Sequence, residues 1–232
     1  MSTEIVFNFD TTGSMYPCLQ QVRNQLESTL TTLFKEIPGL RIGVGANGDY
    51  CDKNRPYVTR HTDLTTDIYT LAQFIRNVER TGGGGNGGEA YEQAMHESRT
   101  KYSWTAGARK ILVMIGDEIA HKVGFRDYYS GHVNRLDWRA EAQALHDQGV
   151  EIYTVQCLDQ HYQNATQYYG ELAAIGGGFY LRLDQFTDIV DLLMAVSYRQ
   201  VGVERLEQYE QEVAARRTIN RALDRSFNVL KG

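Results

Sequence analysis

Five short apolar runs, Ile5 to Phe9, Ile42 to Ala46, Ile111 to Ile115, Ile152 to Val155 and Phe179 to Leu183, are separated by longer stretches with helical spacing of apolar residues. Several runs are continuous rather than alternating, the pattern of strands covered on both faces. The helical stretches span residues 15 to 36, 66 to 79, 88 to 102, 138 to 148, 163 to 174 and 184 to 198, the first carrying Leu19, Val22, Leu26 and Leu30. Alternation of this kind builds a mostly parallel sheet. The sequence therefore predicts a doubly wound, Rossmann-like α/β fold with helices on both faces. Tyr57 to Arg60, after Pro56, is a weaker strand candidate whose short connection to the second run suits an antiparallel edge strand, bringing the sheet to six.

At 232 residues and 42% hydrophobic content the chain can bury a substantial single core. Residues 1–198 are read as that α/β domain. Beyond residue 199, Val203, Leu206, Tyr209, Val213, Ile219, Leu223, Phe227 and Leu230 recur at mostly three- and four-residue steps, with no Gly or Pro from 203 to 231. That spacing predicts one long amphipathic helix, packed on the domain or available for self-association or a partner. The residues from 199 onward hold 7 of the 24 basic and 5 of the 29 acidic side chains, so the body carries a net charge of −7. An acidic body repels a phosphate backbone and makes nucleic acid an unsuitable main partner. No run of about 18 apolar residues is present, and the first strand begins too early to leave room for a signal peptide. Cys18, Cys51 and Cys157 are odd in number and in no Cys-x-x-Cys pattern, which argues for free thiols in a reducing compartment. The expectation is a cytoplasmic protein without a membrane span.

Chemistry concentrates at three strand ends. Asp10-Thr11-Thr12-Gly13-Ser14 follows the first strand and opens a helix, placing a carboxylate and hydroxyls where open α/β sheets bind ligands. Such hard oxygen donors at alternate positions can face one small cation, although Asp, Ser and Thr also cap helices and shape turns. Thr81 to Ala90 holds six glycines around Asn86 and ends at Glu89 before a helix; it lacks the Gly-Lys-Ser/Thr ending of a phosphate-binding loop. Glu89 suits either the first turn of that helix or the orientation of neighbouring donors. Asp117 ends the run from Lys110 to Gly116, where a buried carboxylate needs a cation or hydrogen-bond donors. His121 follows it as a candidate rim contact or pH-sensitive neighbour of the site, and Asp49, after the second strand, is expected on the same rim. Tyr128, Tyr129 and Trp138 flank the long loop after His121 and suit an interface or ordinary packing equally.

Taken in order, these three segments resemble the metal-ion-dependent adhesion site of von Willebrand factor type A domains. Asp10-Thr11-Thr12-Gly13-Ser14 matches the Asp-x-Ser/Thr-x-Ser core. The glycine loop is similar to the Gly-Gly-Asp-x-Pro-Glu loop of some intracellular branches, and Gly116-Asp117 is similar to their Gly-Asp-Ala-Pro-Pro-His segment. The resemblance implies Mg2+, or Mn2+ or Ca2+ in its place, held by Asp10, Thr12, Ser14, Asn86 and Asp117, with Glu89, His121 and Asp49 around them. It implies a non-enzymatic module that receives a carboxylate from a protein partner, and such proteins tend to work beside AAA+ ATPases, kinases or multicomponent systems. Three departures stand out: Asn86 replaces Asp, Gly88 replaces Pro, and Ile119-Ala120 replace Pro-Pro.

Two other readings compete. Asp10-Thr11-Thr12-Gly13-Ser14 also resembles the phosphorylated Asp-Lys-Thr-Gly-Thr motif of haloacid-dehalogenase-type phosphatases, but Thr11 replaces its Lys and Ala120-His121 replace the closing Asn-Asp of the late motif. A structural subunit with a degenerate, metal-free site is the third, motivated by Asn86. The neutral amide gives the first expected outcome. Asn86→Asp adds one negative charge to the donor set, so calorimetry should find tighter Mg2+ or Mn2+ binding than in the parent chain, and Asp10→Ala should abolish it. Unchanged affinity in both variants would select the metal-free reading.

Overall fold

A computed structural model describes residues 2–85, 87–158 and 163–232, apart from the side chains of Leu26 and Gln163. Asn86 lies outside the described residues. Six strands form one sheet: β1 (Thr3–Asp10), β2 (Leu40–Asn47), β3 (Thr59–Thr65), β4 (Arg109–Gly116), β5 (Val150–Cys157) and β6 (Gly177–Leu183), in the order β3-β2-β1-β4-β5-β6. Every neighbouring pair is parallel except β2 with β3. The continuous apolar runs are the central strands, as their two-sided burial requires.

Period-two alternation divides each central strand between two cores. On one face, Ile5, Phe7 and Phe9 of β1 and Ile111, Val113 and Ile115 of β4 pack with α1 (Tyr16–Glu36), α2 (Ile68–Asn77) and α6 (Ile189–Arg199). On the other, Val6, Leu112, Met114 and Ile152 meet α3 (Tyr91–Thr100), α4 (Trp138–Asp147) and α5 (Gln163–Ile175). Trp138 packs into this second core, its ring 4.8 Å from that of Tyr168, and so serves packing.

Two elements differ from the sequence expectation. The edge strand starts at Thr59 and runs to Thr65, later than the predicted Tyr57 to Arg60. Tyr57 instead points inward, its hydroxyl donating to the Glu79 carbonyl at 2.7 Å. The strand itself is polar and half-exposed, so it carries little apolar signal. The second correction concerns the C-terminus, where the single helix expected over 203–231 is two: α7 (Val203–Arg216) and α8 (Arg221–Lys231). Arg217 is extended, and the Asn220 side chain caps α8 by accepting from the amides of Ala222 and Leu223. Arg217 also reaches back to Asp188 and Asp191 at 2.6 Å each, tying the break to the start of α6.

Both helices lie on the first core. Leu206, Tyr209, Val213, Leu223, Phe227 and Leu230 are buried there, so the apolar face expected for self-association is occupied within the chain. No helix among the described residues is long and apolar enough to cross a membrane. Phe227 is fully buried, and truncating such a ring costs about 3–5 kcal/mol. Phe227→Ala should therefore lower the melting temperature of the whole domain by roughly 10 °C in a single transition. An unchanged melting temperature would mean that α8 is a detachable appendage.

Candidate metal centre

Parallel pairing of β1 with β4, Phe9 beside Ile115, brings Asp10 and Asp117 out at the same edge of the sheet, at the C-terminal ends of two central strands. Both are buried. Asp10 Oδ1 accepts hydrogen bonds from the Thr12 amide at 2.7 Å and the Thr12 hydroxyl at 2.6 Å, and Oδ2 accepts one from the Tyr91 hydroxyl at 2.6 Å. Thr12 thus points its proton at Asp10 and keeps its oxygen lone pairs available for a cation. Ser14 is exposed, and its hydroxyl makes no hydrogen bond among the described residues.

The glycine loop closes over this pair. The amides of Gly82 and Gly83 donate to the two carboxylate oxygens of Asp52 at 2.9 and 3.1 Å. The Thr81 amide donates to the Thr11 carbonyl at 3.0 Å, and their hydroxyls lie 3.2 Å apart. Gly83, Gly85 and Gly87 all adopt positive φ, which explains the density of glycine. At Gly83 a Cβ would stand 2.9 Å from Glu89 Oε1, so glycine also lets the backbone approach this carboxylate.

Glu89 bridges the loop to the segment after β4, its amide donating to the Ile119 carbonyl at 2.9 Å. Its side chain is buried, and Oε2 accepts no hydrogen bond from any described residue. The electrostatics follow from crowding. Burial, and then the Asp117 charge, push Asp10 up to about 7, against the lowering effect of its hydrogen bonds. Burial, then Asp10, Asp49, Asp52 and Glu118, raise Glu89 well above the usual carboxylate range. Glu118 rises to about 7 for the same kinds of reason, burial first and then Asp117 and Asp10. Such a cluster must hold protons or a cation, because uncompensated buried charge costs several kcal/mol per group. The donors are hard oxygens, suited to Mg2+, Mn2+ or Ca2+.

His121 and Asp49 are more interior than a rim position implies. His121 is buried, its Nε2 2.6 Å from Asp49 Oδ1 and its ring stacked on Phe125 at 3.7 Å. Asp49 is fully buried and caps the short helical turn Tyr50–Asp52, accepting from the Tyr50 amide at 2.7 Å while its own amide donates to Asp52 Oδ2 at 3.0 Å. It is therefore an internal anchor, not a surface for a partner. Gly88 is explained by the same packing, since a Cβ there would lie 2.8 Å from His121 Nδ1.

Sequence reasoning missed Tyr91, Glu92, Glu118 and Asp52. Glu92 accepts from the Tyr50 hydroxyl at 2.7 Å and the His121 amide at 3.0 Å; burial raises it to about 7 despite those bonds. Asp52, three residues after Asp49, was legible as a capping box. Tyr91 carried no local signal, because its hydroxyl meets Asp10 only across the sheet edge.

Solved structures share this fold. A pilus adhesin, SpaC from Lactobacillus rhamnosus GG in its open conformation, superposes with a TM-score of 0.62 at 14% identity, covering 90% of this chain and 30% of the adhesin. An aerotolerance-related membrane protein from Bacteroides fragilis NCTC 9343 gives 0.53 at 14% identity, covering 82% of this chain and 95% of that one. Proximal thread matrix protein 1 from the mussel byssus gives 0.58 at 15% identity, covering 84% and 45%. At such identities the likeness is one of fold, and this chain spans less than a third of the adhesin. No curated protein matches the chain. The family model for the von Willebrand factor type A domain, however, matches residues 4–195, the stretch from β1 through α6. The chain belongs to the von Willebrand factor type A domain family.

Proposed function

We propose that this chain is a divalent-cation-dependent protein-interaction module without turnover of its own. Asp10, Thr12, Ser14 and Asp117 would hold Mg2+, with Mn2+ or Ca2+ as substitutes, and Asn86 is the remaining donor proposed from the sequence. A carboxylate from a protein partner would complete the set. The observation that carries this reading is the buried group of carboxylates around Asp10, in which Glu89 Oε2 has no donor among the described residues and Asp10 and Asp117 repel one another. When bound, the ion supplies a positive centre with a coordination position open to an outside oxygen ligand. The chain's residues do the rest: Tyr91 and Thr12 orient Asp10, Asp52 holds the glycine loop, and Ser14 and Gly85 are exposed on the first and second site loops. An adhesin and a matrix protein among the structural neighbours suit an interaction role. The three free cysteines suit a cytoplasmic setting, where an AAA+ ATPase, a kinase or a multicomponent system would supply the partner.

Phosphoryl transfer is the weaker reading. Asp10 already accepts three hydrogen bonds through its two oxygens, and no Lys stands at position 11 to activate it. Incubation with ATP or acetyl phosphate should leave Asp10 unmodified by mass spectrometry, and a stable aspartyl phosphate would reverse the assignment.

The pH dependence has a definite sign. Asp10 binds its proton more tightly in the folded chain, where its pKa is about 7, than at the ordinary value of 3.8. Its contribution to stability is therefore fully present below about pH 4 and is lost as pH rises through about 7. A cation replaces the proton, so its effect runs the other way. In EDTA the melting temperature should fall between pH 5.5 and 8, and Mg2+ at about a hundred times its Kd should restore roughly 2.7 kcal/mol at pH 8, or about 5–10 °C, and less at pH 5.5. Asp10→Asn should flatten both responses. Melting curves that coincide with and without Mg2+, Mn2+ or Ca2+ at pH 8 would rule the metal centre out.

A further inference from the structure

Beside the carboxylate cluster stands a surface of opposite character. Residues 124–134 form a β-hairpin: the amides of Gly124 and Asn134 donate across it to the carbonyls of Asn134 and Phe125, and the Asp127 amide donates to the His132 carbonyl at 2.9 Å. Its tip carries Tyr128 and Tyr129, 91% and 76% exposed, set edge to face with centroids 5.4 Å apart. Val133 on it and Val123 just before it are also exposed. Two large aromatic rings held in water on an ordered turn lie beside one another without any core to enter.

The hairpin is fastened to the centre. Phe125 stacks on His121, and His132 stacks on Tyr50 at 3.9 Å. Asn134 donates to the Lys122 and Leu136 carbonyls at 3.1 and 3.0 Å. One ligand-type atom each of Asp49, Cys51 and Asp127 lies within 4.8 Å of the others, which brings the hairpin against the turn after β2. That turn is the element whose Asp52 holds Gly82 and Gly83.

Charge is sorted by depth. Lys53 and Arg55 on the turn, Lys122, Arg126 and Arg135 on the hairpin and its flanks, and Arg80 at the glycine loop are all exposed. None of the six forms an ion pair among the described residues. Arg80 reaches the first site loop, its guanidinium 2.9 Å from where a Gly13 Cβ would be. Between 121 and 136 the one acid is Asp127, and between 48 and 60 the acids are Asp49 and Asp52; all three are buried. On a chain of net charge −5, the exposed charge of residues 48–60 and 121–136 is thus wholly positive, while the exposed Glu79 beside Arg80 pairs with Arg60 and the exposed Asp137 starts the helix after the hairpin.

We propose that this rim is the specificity surface of the module and takes an acidic segment of the partner protein, which runs over Tyr128 and Tyr129 from the residue whose carboxylate enters the metal centre. It rests on the reading of the centre given above and adds the chemistry of the partner around its coordinating residue. Unpaired cations beside exposed tyrosines suit acidic side chains interleaved with apolar ones, and the tyrosines give contact area at low entropic cost. A nucleic acid is disfavoured, because its dense phosphates would lie against the carboxylate floor and the acidic body.

The test uses the full chain in Mg2+ and two fluorescent peptides, one with a single Asp among Gly, Ser and Leu, the other with Glu on both sides of that Asp. Flanking acids should tighten binding by about tenfold in low salt, and the gain should vanish near 0.5 M NaCl, where charges are screened beyond roughly 4–5 Å. Lys53→Glu with Arg126→Glu should remove the gain while leaving the single-Asp peptide within about twofold. Tyr128→Ala with Tyr129→Ala should weaken the acidic peptide by about tenfold. All four positions are exposed, so circular dichroism should show intact folding. No gain from flanking acids, or a gain that survives charge reversal, overturns the rim. Displacement of the acidic peptide by oligothymidylate at lower concentration than by unlabelled peptide overturns it too, in favour of nucleic acid. If EDTA and Asp10→Asn leave both peptides bound while charge reversal releases the acidic one, the rim stands and the metal-centre reading fails.

Discussion

Parallel pairing of β1 with β4 sets the ends of two central strands about 5 Å apart, and each delivers a buried carboxylate to the same edge. Both are buried, so Asp10 and Asp117 feel one another more strongly than they would on a surface. What surrounds them is a response to that proximity. Tyr91 and Thr12 give Asp10 three hydrogen bonds. Glu89 and Glu118 crowd further carboxyl groups against the pair, and burial and their neighbours raise both above the usual carboxylate range. A fold that needed only stability would not collect carboxylates in this way, since removing them would lower the desolvation cost. The arrangement makes sense for a centre whose compensation arrives from outside.

The loops are held by the same kinds of group. Asp52 receives the glycine loop, Asp49 receives His121, and Glu92 receives Tyr50 and the His121 amide. These anchors connect three separate chain segments, so displacing one carboxylate moves the walls of the centre as well as its charge. Gly83 and Gly88 are small for the same reason: a side chain at either would strike Glu89 or His121. The absence of the family's prolines at Gly88 and Ile119-Ala120 is thus offset by contacts that pin the backbone from the side.

Depth separates the two signs of charge. The floor is acidic and buried, and the surrounding turn and hairpin expose cations and tyrosines. The cation proposed for the floor and the acidic segment proposed for the rim would make complementary demands, the first met by close hard-oxygen ligation and the second by longer-range, salt-sensitive attraction.

The central strands were legible because burial on both faces demands continuous apolar runs, as in Ile111 to Ile115. The edge strand was legible only in part, since Thr59 to Thr65 is half-exposed and under no such demand. Asp10, Thr12 and Asp117 could be picked out because strand ends are local features and hard-oxygen donors are recognisable by type. The helix break at 217–220 follows from Asn220 capping α8 and Arg217 meeting Asp188 and Asp191, contacts that apolar spacing does not register. By itself the sequence determined the alternating architecture and the strand-end donors, because both are written in spacing along the chain. Tertiary structure alone decided that Asp49 and His121 are interior anchors, that Tyr91 serves Asp10, and that unpaired cations collect around an acidic floor. Those outcomes depend on which distant segments the sheet brings side by side, and no local pattern encodes that.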